Sequence, residues 1–202
     1  TAGMSSVVEI ANVADEPTTA LMELRSADGN LLDQFVVPLA GHATQHIIVD
    51  AYLRAVGDFG VAFIQGVDSE SIVAVGMQYG RTDTLGLRYM YGIEAQQSLG
   101  TSLRGSYNTF LGQGCELLLT NSSATAQTVT ISMQRSDGTT VIEGESVVVP
   151  TRGGTKMELC SREAPDFYGL VTVTAPERNT IGAVIVRRGA DTSYAFPTPV
   201  RQ

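Results

Sequence analysis

The residues best suited to metal chemistry are the two histidines, His42 and His46, four apart in the segment HATQH. On a helix this spacing places both imidazoles on one face, where they could bind a metal ion. The preceding residues favour a strand, in which residues four apart also share a face but lie about 13 Å from each other. One ion cannot bridge that distance, and no glutamate follows His42 as it does in zinc proteases. We predict two partly exposed histidines in a strand or loop, with no metal or other cofactor.

Catalytic groups of other kinds are equally sparse. A serine hydrolase needs a histidine and an orienting carboxylate beside its nucleophile, but the chain has no Gly-x-Ser-x-Gly elbow and no histidine after His46. Five acidic residues could supply a carboxylate pair for glycoside cleavage or oxygen ligands for calcium. They are Asp58, Asp68, Glu70, Glu143 and Glu145. Their positions at turns and strand ends are ordinary for acidic residues, so we predict that the protein is not an enzyme.

The two cysteines, Cys115 and Cys160, could form a disulfide, bind a metal as a pair or lie inert in the core. Their separation is far from any compact pattern of metal ligands. We predict a disulfide between them, which favours an oxidising compartment.

Charge and hydropathy exclude two classes of partner. The formal net charge is −8, and Lys156 is the one lysine among thirteen scattered basic residues. Nucleic-acid binding needs a concentrated cationic face, so we predict no nucleic-acid partner. No apolar run approaches the roughly 20 residues that cross a bilayer, so we predict no membrane insertion. No signal segment is recognisable either, so the chain has none or begins after its removal.

The chain contains one module twice. The segment Asn12–Pro38, NVADEPTTALMELRSADGNLLDQFVVP, returns at Asn121–Pro150 as NSSATAQTVTISMQRSDGTTVIEGESVVVP. The asparagines lie 109 residues apart, as do the two Asp-Gly pairs, whereas the prolines lie 112 apart. The difference predicts a three-residue insertion in the second copy. Because duplication determines architecture, we predict two modules, residues 1–93 and 94–202.

Alternating apolar and polar residues predict antiparallel strands, and each Asp-Gly pair predicts a hairpin turn. We predict an all-β fold of two tandem antiparallel β-sandwich modules with about seven strands each. Asp50–Val56 could be a helical turn or a loop. The predicted strands are Val8–Ile10, Ala20–Leu24, Phe35–Val37, His46–Val49, Val61–Gln65, Ile72–Gln78 and Leu87–Tyr91, then Val129–Met133, Val147–Val149, Lys156–Leu159, Leu170–Thr174 and Ile181–Arg187.

The asparagine that opens each repeat suits a turn in which its side chain bonds nearby backbone. Asn121-Ser122-Ser123 matches a glycosylation acceptor, but Asn12 is followed by Val-Ala and does not. We therefore predict a structural role for both asparagines.

The linker Glu94–Gly114 is glycine-rich, yet its apolar side chains predict an extra strand that leads into the second module. The first module has only Thr1–Met4 in the equivalent place, so one of its sheet edges should lack a neighbour. Such an edge recruits a strand from another chain, and head-to-tail addition can produce filaments. The predicted contact residues are Val8, Ile10, Tyr89, Tyr91, Tyr107 and Phe110.

With its asparagine, Val-Pro strand end and basic strands PLAGHATQHI and PTRGGTKMEL, the module resembles a bacterial β-sandwich family that includes the soluble sensory rhodopsin transducer. The resemblance implies a sandwich, oligomerisation and a binding or scaffolding role, with no catalytic residues. We predict a non-catalytic structural protein, extracellular or at the cell surface, that self-associates through sandwich edges as a homo-oligomer or polymer. The alternative is a module that binds a small ligand or a signalling partner, as the transducer does.

Overall fold

A computed structural model describes residues 4–52, 59–67, 70–81, 86–95, 100–190 and 194–201. Asp58, Asp68, the end of the predicted turn at residues 53–56 and the first residues of the chain lie outside these ranges. The prediction of an all-β fold is confirmed: the described residues form fifteen strands and three short 3-10 helices. They divide into two compact units, Thr1–Ala95 and Gln96–Gln202, whereas the predicted boundary lay after residue 93.

The first unit consists of two antiparallel sheets over a small apolar core. One sheet has the strand order β4-β1-β6-β7 and the other β3-β2-β5. Ile10, Met22 and Leu39 are almost completely buried between them. The strands are β1 (Met4–Asn12), β2 (Thr18–Ser26), β3 (Leu31–Leu39), β4 (Thr44–Ile48), β5 (Gly60–Gly66), β6 (Ile72–Arg81) and β7 (Leu87–Glu94), with a 3-10 turn at Asp50–Tyr52.

The second unit repeats this arrangement and adds one strand. Its sheets have the orders β12-β9-β14-β15 and β11-β10-β13-β8, and β8 has no counterpart among the described residues of the first unit. The predicted extra strand in the linker is therefore confirmed as β8. The strands are β8 (Ser102–Asn108), β9 (Gly114–Asn121), β10 (Gln127–Arg135), β11 (Thr140–Val149), β12 (Gly154–Glu158), β13 (Tyr168–Thr174), β14 (Ile181–Arg188) and β15 (Ala195–Pro199), with 3-10 turns at Phe110–Gly112 and Cys160–Arg162.

The Asp-Gly turns join corresponding hairpins, β2–β3 and β10–β11. Gly29 and Gly138 have φ values of 85° and 88°, in the left-handed region that glycine adopts without steric cost. Each donates its N–H across the turn at 2.9 Å, to Ser26 and Arg135 respectively. The hairpin prediction is confirmed in both units.

The alignment of the two prolines is wrong. Ala20 pairs with Val37, and the counterpart of Ala20, Val129, pairs with Val147. Strands β3 and β11 therefore correspond at an offset of 110 residues. At this offset the counterpart of Pro38 is Val148 and not Pro150. The insertion is one residue and not three. It is accommodated by an additional register shift in the β10–β11 pair, near Gly144, whose φ is 68°.

The repeated asparagines have the predicted structural role. Asn121 is fully buried, and its Nδ2 donates to the carbonyl oxygens of Thr125, Val149 and Pro150 at 2.8, 3.2 and 3.1 Å. Its Oδ1 accepts the N–H of Ser123 at 2.9 Å. Asn12 makes the same kind of contacts with Ala14, Glu16 and Ala40. Each side chain thus joins the two loops at one end of its sandwich.

Replacing Asn121 by alanine should lower the free energy of unfolding of the second unit by about 2 kcal/mol, because buried loop carbonyls lose their donor. Chemical denaturation monitored by circular dichroism measures the change. The matched control is Asn30→Ala at an exposed turn, which should change stability by less than about 0.5 kcal/mol. Equal effects of the two substitutions would contradict the proposed role of the buried amide.

Candidate functional site

In the second unit, strand β8 covers the edge of strand β13. Strand β8 pairs antiparallel with β13 along its whole length, from Ser102 opposite Thr174 to Asn108 opposite Tyr168. Leu103 and Tyr107 of β8 are 0% and 1% exposed. With this strand in place, the core residues of β13 are removed from solvent.

Strand β8 also closes the side of the sandwich towards the other sheet. A Cβ atom at Gly105 would lie 3.0 Å from Val200 Cγ2 and 3.2 Å from Ile185 Cδ1, so only glycine fits without displacing them. Arg104 and Arg201 exchange backbone hydrogen bonds of 2.6 and 3.0 Å. This side of the second unit is therefore filled by backbone and by apolar side chains.

The corresponding strand of the first unit is β5, which aligns with β13 at an offset of 109. Within the described part of the chain, β5 pairs with β2 and with no second strand. Val67 donates its N–H to the Thr19 carbonyl at 3.2 Å, so the backbone groups of Val67 point towards β2. Because hydrogen-bonding direction alternates along a strand, the backbone groups of Ala62 and Ile64 point away from β2.

Burial at equivalent positions reflects the missing neighbour. Val171 and Val173 of β13 are both 0% exposed. Their counterparts Ala62 and Ile64 pack against the core of the first unit but are only partly buried. The sequence of β5, GVAFIQG, contains no charge and no proline, the features that commonly block pairing at a sheet edge. We regard the outward edge of β5 as the candidate functional site.

Two of the predicted contact residues lie in the wrong place. Val8 and Ile10 are 7% and 0% exposed, and β1 is paired on both sides, with β4 and β6. A central strand has no free backbone edge, and these two side chains are buried in the core. Within the described ranges, β5 is a terminal strand of the other sheet, which a comparison of β5 with β13 could have indicated.

The predicted aromatic contacts divide between core and surface. Tyr107 belongs to the core of the second unit, and Tyr91 is 8% exposed on β7. Tyr89 is half-buried and stacks on Tyr91 with ring centroids 6.4 Å apart. Phe110 is 51% exposed in a 3-10 turn. Tyr89 and Phe110 thus remain available as surface contacts.

The two histidines contact different carboxylates. His42 occupies a turn with a φ of 56°, and its Nε2 lies 2.8 Å from Oδ1 of Asp15. His46 lies in β4, with its Nε2 3.7 Å from Oε1 of Glu9. Each faces a different carboxylate at an exposed position, and the described residues contain no group of three or more potential metal ligands.

Among the acidic candidates, Glu70 is exposed at a turn, and Glu143 and Glu145 lie on β11. Oε1 of Glu145 pairs with Arg162 at 3.3 Å. A surface hollow of about 350 Å³ is lined by uncharged residues; they are Pro17, Thr18, Thr19, Pro38, Leu39 and Ala40. Neither the ion pair of Glu145 nor the lining of the hollow brings together groups for acid–base catalysis.

A further carboxylate with close partners is Glu163, which sequence analysis missed because Arg135 is distant in the chain. Its two oxygens accept hydrogen bonds of 2.9 Å from Arg135, and Tyr107 Oη donates to it at 3.2 Å. The Arg135 guanidinium holds the pKa of Glu163 below its usual range. Burial, with Glu163 beside it, raises the pKa of Tyr107 to about 12. This cluster fastens β8 to the rest of the second unit.

Stability of the second unit should therefore depend on pH in the acidic range. A carboxylate with a lowered pKa stabilises the fold above its unfolded pKa of about 4.3, and this contribution disappears as pH falls through the lower folded value. Thermal unfolding between pH 6 and pH 2 measures the effect. Glu163→Gln should flatten the acid limb, with Glu145→Gln as the matched exposed control. An unchanged acid limb in the Glu163 variant would contradict this role.

The predicted disulfide is confirmed. Cys115 and Cys160 are bonded, with their Cα atoms 5.0 Å apart, and join the start of β9 to the 3-10 turn after β12. At the 109 and 112 offsets their counterparts are Ser6 and Ile48, but the hydrogen bonds Val49 to Ser6 and Leu159 to Cys115 align Cys160 with Asp50 instead. Asp50 Oδ1 accepts the N–H of Ser6, so a hydrogen bond occupies the place of the disulfide in the first unit.

Comparisons with known proteins give little. No family model matches the chain, and no curated protein matches it. One solved structure, a β-glucuronidase from glycoside hydrolase family 2, aligns with 15% identity and a TM-score of 0.19. That alignment covers 98% of this chain and 22% of the other. A TM-score this low carries no argument about fold or function. Among the described residues, no helix is long and apolar enough to span a membrane.

Proposed function

We propose that the protein is a non-catalytic structural subunit that associates with copies of itself through exposed strand edges. The observation that carries this proposal is the difference between the two units: β13 is covered by β8, whereas β5 has an uncovered, uncharged edge in the described structure. Unpaired edges of this kind add strands from other chains.

We also propose that the protein is exported from the cell. A structural disulfide persists in oxidising compartments and is rare in the cytosol of mesophiles, and both cysteines of the chain are bonded. An extracellular or cell-surface subunit is consistent with this chemistry.

Growth beyond a dimer needs a second contact on each chain. Strand β7 is another terminal strand and carries exposed apolar side chains, with Leu87 62% and Met90 55% exposed. Two different contacts on one chain generate an open filament or layer when their rotations do not close.

Negative-stain microscopy and sedimentation velocity of the purified chain test the proposal. We expect species larger than the monomer that increase with protein concentration, and filaments or layers at the highest concentrations. A strictly monomeric chain would overturn the proposal and would favour a module that binds a small ligand or a signalling partner.

A further inference from the structure

We propose that β5 pairs with β5 of a second copy, antiparallel, about a two-fold axis that passes beside Phe63. This inference rests on the proposed self-association and specifies its chemistry. The contact joins two three-stranded sheets into one sheet of six strands across the two copies.

The backbone supports this register. The N–H and C=O groups of Ala62 and Ile64 point outward, as derived from the bond between Val67 and Thr19. With Phe63 at the axis, Ala62 lies opposite Ile64 of the second copy and exchanges both hydrogen bonds with it. Gly60 then lies opposite Gly66, so all outward groups of the seven-residue strand are paired.

The side chains are self-complementary in the same register. On the core face, small Ala62 meets large Ile64 of the second copy, which covers two residues that are partly exposed in the single chain. On the opposite face, Phe63 of one copy lies opposite Phe63 of the other beside the axis. Aromatic cross-strand pairs of this kind stabilise a sheet.

Electrostatics favour this edge over a charged one. Each copy carries a formal net charge of −8, so two copies repel each other at long range. Because β5 contains no ionisable residue, pairing it with itself brings no like charges into contact. Attraction at short range then comes from backbone bonds and apolar burial.

A donated β8 strand is the main competing occupant of the β5 edge. To reach a second copy, β8 would have to withdraw Leu103 and Tyr107 from its own core, where both are almost fully buried. Re-exposing side chains of this size is unfavourable because their apolar surface returns to water. Pairing of β5 with β5 leaves both units of each chain folded as they are.

A single cysteine at the axis tests the register. The native cysteines are bonded to each other, so Phe63→Cys introduces one free thiol per chain. The matched control is Thr172→Cys, at the equivalent position of the covered strand β13. Under mild oxidation we expect most of the Phe63→Cys chain to become a covalent dimer that dithiothreitol reverses, while the control forms no covalent dimer. Equal cross-linking in both variants would overturn the proposed pairing.

A charge swap gives an independent test in the whole chain. Phe63→Lys and Phe63→Glu each place like charges opposite one another and should weaken dimerisation about tenfold or more. Mixing the two variants should restore dimers. Circular dichroism checks that each is folded, and the cysteine variant decides the question if either is not.

The outcomes separate this inference from the proposed function. If the wild-type chain is monomeric, both fail. If it assembles but no β5 cross-link or charge effect is found, self-association stands and the β5 contact falls. Binding of a synthetic SLRGSYN peptide to β5 without cross-linking would show that the edge accepts a donated strand, which also overturns pairing between copies.

Discussion

The double variant Cys115→Ser, Cys160→Ser is expected to lose about 4 kcal/mol of stability in the second unit. The bond closes a loop with a sequence separation of 45 residues, and cross-linking such a loop removes that much entropy from the unfolded chain in the loop-closure model. Denaturant unfolding of the full chain measures the effect. Thermodynamically independent units unfold in separate transitions. The transition of the first unit should not move.

The matched control lies in the first unit, where the hydrogen bond from Ser6 to Asp50 occupies the equivalent place. Asp50→Ala should lower the stability of that unit by about 1 kcal/mol, well below the effect of losing the disulfide. Thiol titration of the unreduced, unfolded wild-type chain should find no free cysteine. Two free thiols, or a change below about 1 kcal/mol in the double variant, would contradict this role of the disulfide.

Replacing Leu103 by alanine should lower the stability of the second unit by about 3 kcal/mol. The side chain is fully buried and anchors β8 against β13, so its removal leaves a cavity that the surrounding sheet cannot fill. Differential scanning calorimetry of the full chain measures the loss. The same experiment on Val67→Ala provides the control.

Val67 is 88% exposed, and its truncation should change stability by less than about 0.5 kcal/mol. A Leu103 variant as stable as this control would show that β8 is not an integral strand of the second unit. Loosening β8 should also expose the edge of β13, so the Leu103 variant should associate more strongly than the wild-type chain.

The duplicated sequence predicts most of the local structure. The Asp-Gly pairs lead to hairpins at Gly29 and Gly138, because only the left-handed region closes these turns without strain. Asn12 and Asn121 predict loop junctions because an amide side chain can donate and accept at once. Leu103 and Tyr107 correctly indicate a packed strand in a segment that is otherwise rich in glycine.

Strand order is what the sequence does not contain. Val8 and Ile10 belong to a strand whose alternation of apolar and polar residues would look the same at the centre of a sheet as at its edge. The central position of β1 in its sheet was therefore not predictable. Strand β15, which pairs with β14, was also missed because its prolines argue against a strand. The repeated Val-Val-Pro is misleading because strand pairing aligns Pro38 with Val148, two residues before Pro150.

Amide hydrogen exchange at Ala62 and Ile64 tests the self-association at β5 most directly. Exchange of these two N–H groups should slow as protein concentration rises, because a second copy accepts their hydrogen bonds. Val171 and Val173, which face β8 within the same chain, should be protected at every concentration. Exchange rates at Ala62 and Ile64 that do not change with concentration would contradict pairing of this edge between copies.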